Sequence, residues 1–203
     1  MPIFPSLTGT AQDYSTERAY FKSKKIEYSE DALIDVINHS TRRYDLYWAS
    51  IALREIGTLK CIEPMKKLIF HPMQDIKCTS ILTIAMIAGS DETLFYASAL
   101  LDPKYREKGY ALWALLEAGN VLGIDAVIQH LHKILARHKN KDIHDDELPS
   151  VVFLSRFADS HMEAKQAVDS WYRVRTPLPA YIADSLISNS EYFKTIIPMI
   201  NRS

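Results

Sequence analysis

Two cysteines in 203 residues are too few for a disulfide scaffold. Cys61 and Cys78 stand among apolar neighbours at different phases of the pattern described below, and they are expected to be reduced core thiols of a cytoplasmic protein. An excess of one charge is also missing. Lys and Arg number 24 against 25 Asp and Glu, a formal net charge of −1, so no global field draws the chain to nucleic acid or to a membrane. No apolar run reaches the roughly 18 residues that a membrane span needs. Met1-Pro2-Ile3-Phe4-Pro5 is proline-broken and uncharged, unlike a secretory leader. Glycine is scarce, at six residues, and that makes the placing of three of them informative.

The intervals from Gly57 to Gly89 and from Gly89 to Gly119 are nearly equal, and both fall within the spacing of helical repeats. Apolar residues keep step with them. Eight before each glycine stand Ala49, Ile81 and Ala111, and five before stand Ala52, Ile84 and Ala114. Five after stand Ile62, Leu94 and Ile124, and twelve after stand Ile69, Leu101 and Leu131. The pattern predicts a helix (A), a glycine stop and a second helix (B) in each unit. Pro72 and Pro103 end the first two B helices, because proline cannot continue one.

The first unit closes its A helix with Ala52-Leu53-Arg54-Glu55-Ile56-Gly57 and opens its B helix with Ile62-Glu63-Pro64-Met65. These stretches resemble the HEAT-type repeat, and the likeness extends more loosely through residues 45–135. It implies an all-α fold, a short α-solenoid of antiparallel helix pairs with capping helices at both ends, in which the B helices form the concave face. The expected organisation is a single helical-repeat domain. A flexible arm covers 1–12, N-terminal capping helices cover 13–43, three helix-pair repeats cover 44–135, and degenerate C-terminal helix pairs cover 145–203. Ser15-Thr16-Glu17 and Ser29-Glu30-Asp31 open the capping helices. Pro149 precedes one helix of a fourth unit in which Ala158-Asp159 replaces the glycine, and a second runs from about His161 to Arg175.

Signatures of chemistry are sparse. His130 and His132 project about 200° apart on a helix, so they do not share an ion. His138 and His144 approach Asp145 and Asp146 only if their loop folds back. HEAT-like deoxyhypusine hydroxylases hold iron through His-Glu dipeptides, and none of the seven histidines here precedes a glutamate. HEAT-like alkylpurine DNA glycosylases use a basic concave groove with tryptophan and aspartate. Trp48, Trp113 and Trp171 suit that class superficially. Trp48 and Trp113, however, are read as core aromatics, and the most basic stretch, 104–140, has a local net charge of only +3. Phosphate loops, nucleophile elbows and zinc helices are absent from the sequence. No catalytic residue, metal or cofactor is expected.

What remains is recognition. On the B helices the non-core positions include Glu92, Tyr96, Asp125, Gln129, His132 and Lys133, with Tyr96 as the expected anchor because interface hot spots favour tyrosine. The acidic loop carrying Asp142, Asp145, Asp146 and Glu147 is expected to steer a basic partner. A protein partner fits this mixture better than nucleic acid or membrane. A compact, mildly acidic array without chemistry suits a bacterial immunity protein that neutralises a toxin domain. A general scaffold or adaptor is the alternative, and a glycosylase is disfavoured.

Overall fold

The computed structural model describes residues 13–137 and 142–197, and among them every regular element is helical. The arm at 1–12, His138 and the chain beyond residue 197 fall outside the described residues. Two helices, α1 (Ser15–Ser23) and α2 (Glu30–His39), both pack on α3 (Arg43–Ile56). Then follow α4 (Ile62–Leu68), α5 (Gln74–Ala88), α6 (Thr93–Leu101), α7 (Lys108–Ala118) and α8 (Ile124–Arg137). The C-terminal part holds α9 (Glu147–Ser155), α10 (Met162–Arg175), α11 (Ala180–Asn189) and α12 (Glu191–Ile196). Helix α3 packs on α5, α5 on α7 and α7 on α9, while α4, α6 and α8 each pack on the helix that follows. Leu33, Val36 and Ile37 form the buried side of α2, as their spacing predicts. One apolar core runs from Phe21 to Ile197. No helix among the described residues is long and apolar enough to cross a membrane.

Each of the three glycines ends a helix and leads into a 3-10 turn, for two different reasons. At Gly57 and Gly119 the amide closes the last helical bond, to Leu53 O and Leu115 O, both at 2.8 Å. A Cβ there would stand 2.4 Å and 2.6 Å from those same carbonyls, so only glycine lets the chain leave so tightly. Gly89 has open space around it but a φ of +56°, a backbone state that glycine enters without steric cost. In the first and third units, Thr58 and Asn120 cap the turn by accepting from the amides of Lys60 and Leu122.

The A helices follow the sequence pattern throughout. Ala49, Ala52, Ile81, Ile84, Ala111 and Ala114 are all completely buried. The second B helix departs from it. Its 3-10 turn begins at Gly89 itself, so α6 starts at Thr93, four residues on, whereas α4 and α8 start five residues after their glycines. Every later position moves by one. Leu94 is 63% exposed rather than core, and Leu100 replaces Leu101 as the counterpart of Ile69 and Leu131. Tyr96 takes the place of the buried Met65 and Val127 and is 0% exposed.

Polar links repeat from unit to unit. Thr83 Oγ1 donates to the Ser50 carbonyl at 2.9 Å, Arg43 pairs with Asp75, and Gln74 donates to Glu107. On the other side Lys60 pairs with Asp31, Lys66 with Glu92, and Asn120 donates to the Ser90 carbonyl.

Tyr96 provides the test of the shifted register. Tyr96→Ala should cost about 3–5 kcal/mol in urea unfolding, as for a buried aromatic. Tyr96→Phe should cost about 1 kcal/mol, the worth of the 3.0 Å bond from its hydroxyl to the Gly89 carbonyl. A surface position would show neither loss.

Candidate partner-binding groove

A concavity of about 730 Å³ lies on the A helices. From α3 come Arg43, Tyr47, Ile51 and Arg54, which share one face at spacings of four, four and three. From α5 come Gln74, Asp75, Cys78, Thr79 and Leu82, and Tyr110 and Trp113 of α7 close the far wall. Tyr110 and Trp113 lean together with ring centres 6.1 Å apart. Ile51 and Leu82 add apolar surface, and three aromatic rings and two guanidinium groups line the groove.

Arg43 and Asp75 neutralise each other at the rim: Nη2 and Nε both reach Oδ2, at 2.7 and 2.8 Å. Asp75 Oδ1 accepts the Ile76 amide, so both carboxylate oxygens are engaged. Among the described residues Arg54 bonds only neutral acceptors, Thr83 Oγ1 at 3.0 Å and the Thr79 carbonyl at 3.4 Å. Burial pulls its pKa below the ordinary arginine value, the direction expected when a cation loses water. Burial pushes the Cys78 thiol pKa up to about 12. Cys61 is raised to about 11, also chiefly by burial. No family model matches the chain, and no curated protein matches it in sequence.

The residues singled out from the sequence fall in several places, and several of those expectations change. Asp125, Gln129, His132 and Lys133 share the exposed face of α8. Glu92 is half-buried and held by Lys66 Nζ at 2.7 Å. Tyr96 is no surface anchor, because the shortened turn rotates it into the core. Among the acidic residues, Asp142 and Asp145 are exposed beside a hollow of about 400 Å³ that includes Pro179 and Tyr181. Asp146 is half-buried, with Oδ2 3.2 Å from His130 Nε2. Glu147 is not part of a solvated loop. It begins α9, is completely buried, and accepts from Arg175 Nε and Nη2 at 2.8 and 2.6 Å and from Trp171 Nε1 at 2.7 Å. Trp171 is therefore core, whereas Trp48 and Trp113 are half-buried rather than fully internal. Trp113 faces the groove. Among the described residues no three His, Cys, Asp or Glu side chains gather as a metal set.

Removing Glu147 would take from the buried Arg175 guanidinium the carboxylate it meets at 2.6 Å. Glu147→Ala should cost about 3–5 kcal/mol in chemical denaturation, whereas Asp142→Asn and Asp145→Asn should stay within about 0.5 kcal/mol. The raised thiols give a second check. Thiolate is the reactive form, so at pH 8 neither Cys61 nor Cys78 should react with a thiol reagent in the folded chain. Both should react within minutes in denaturant, and fast labelling of the native protein would contradict their burial.

Proposed function

We propose that this chain is a non-catalytic, cytoplasmic protein-binding module. Its architecture is a short HEAT-like solenoid, capped by α1 and α2 at one end and by the C-terminal helices at the other. Support for the solenoid comes from the regular row of α3, α5, α7 and α9 and from the polar links that recur between successive units. The observation that carries the functional reading is the groove on α3, α5 and α7. Its aromatic walls and arginines are the residue types enriched at protein interfaces. Its reactive groups are occupied or quenched, since Asp75 has both oxygens engaged and the Cys78 thiol stays protonated. The sharper form of the proposal is a bacterial immunity protein that neutralises a cognate toxin domain. A scaffold or adaptor would present the same groove to a non-toxic partner.

One observation favours a second reading. Trp113, Asp75 and two arginines meet in a single groove, which is the kind of constellation that a HEAT-like glycosylase uses. Against it, Asp75 is tied to Arg43 rather than free to act on a sugar or a water. The groove also lacks the row of cations that phosphate binding requires.

Co-expression with the products of adjacent genes tests the main reading. An immunity protein should form a 1:1 complex with one of them on gel filtration, with sub-nanomolar affinity by calorimetry, and should restore growth to cells making that product. A complex without rescue would favour the adaptor. Release of alkylated purines from duplex DNA by the purified chain would overturn both in favour of the enzyme.

A further inference from the structure

Among the described residues, the groove holds one guanidinium with no carboxylate in direct contact, and that feature bears on what it could accept. An arginine has five N–H donors. In Arg54 two of them are used, Nε on Thr83 Oγ1 and one Nη2 hydrogen on the Thr79 carbonyl. Thr83 Oγ1 in turn donates to the Ser50 carbonyl at 2.9 Å, so its orientation is fixed by the backbone of α3 and the guanidinium is held in place. Among the described residues no carboxylate comes within ion-pair distance of Arg54. Glu17, buried on α1 with one oxygen that no group bonds, acts on it from further away. Arg43, by contrast, is already paired with Asp75. Among the described residues, Arg54 is therefore the groove's guanidinium without a direct ion pair, and Tyr47, Tyr110 and Trp113 line the same groove.

From this we propose that Arg54 is the anchor of the groove and that its ligand is one carboxylate side chain, an Asp or Glu next to an apolar or aromatic residue, presented by a protein partner. The proposal rests on the protein-binding reading of this site and narrows it. Two free N–H directions on a planar fork match a carboxylate. Low local dielectric strengthens that pair, while much of the desolvation of Arg54 has already occurred in the unbound fold. The aromatic walls take the carbon skeleton on either side, and about 730 Å³ accommodates more than one side chain. A nucleic acid fits less well, because it brings a charge about every 1.7 Å of duplex to a groove with one to balance.

The test uses the full chain and two blocked pentapeptides, acetyl-Ser-Phe-Glu-Leu-Ser-amide and its Gln counterpart, followed by intrinsic tryptophan fluorescence. A single-stranded dodecanucleotide serves as the competing class. The Glu peptide should bind saturably and at least tenfold more tightly than the Gln peptide, and Arg54→Gln should bring the two within twofold. The ratio on the wild-type chain stands by itself if Arg54→Gln fails to fold. Equal binding of both peptides, binding of neither, or tighter binding of the oligonucleotide would overturn the assignment. If a 1:1 toxin complex forms and survives Arg54→Gln, the groove assignment falls and the protein-binding reading stands. If no protein complex forms at all, both fall.

Discussion

At Gly57 and Gly119 the chain turns in a space that one methyl group would fill. The helix closes its last bond and within two residues is already in a 3-10 turn capped by Thr58 or Asn120. That tightness keeps the units nearly equal in length, and the spacing brings Thr83 to Ser50 and Asp75 to Arg43. With those links in register, the A helices pack on one another in a row, and their flanks bound a groove that no single helix contains.

The A half of each unit was legible because a helix ends where its glycine stands. Counting back from a fixed stop reaches the buried face without error. Counting forward crosses the turn, and a turn can change length. In the second unit it does, and Thr93-Leu94-Phe95-Tyr96-Ala97 offers apolar residues at either phase, so hydrophobic spacing alone cannot show the shift. Leu100 and Leu101 are likewise interchangeable in the pattern. Gly89 carries the signal in its positive φ, a property of the backbone that composition does not record.

The candidate site was less legible than the fold. A resemblance to HEAT-type arrays directs attention to the B helices, and α8 does expose Asp125, Gln129, His132 and Lys133. The groove draws instead on polar and aromatic residues along helices whose dominant feature is their apolar face. Arg43, Tyr47 and Arg54 form a second stripe on α3, at spacings of four and seven, and that stripe was present in the sequence. Its meaning depended on Tyr110 and Trp113 arriving from α7, two units further along the chain. Glu147 failed for the same reason. Beside Asp145 and Asp146 it reads as loop, and its partner Arg175 stands at the far end of the next helix, α10.

Arg175 and Arg54 show two ways in which the fold holds a guanidinium away from bulk water. Both guanidinium groups have largely left bulk water, at a cost that only close partners offset. Arg175 meets Glu147 through two hydrogen bonds, with Trp171 filling the same carboxylate, and the cluster closes off inside the C-terminal helices. Such a site has nothing left to offer a ligand. Arg54 is oriented with equal care, but by a hydroxyl and a carbonyl, which fix its direction and leave its charge standing. A cation that serves only the fold gains from being paired, as Arg175 is. One held rigid without a direct ion pair in an aromatic groove is costly to the isolated chain, a cost that the proposed carboxylate ligand would offset.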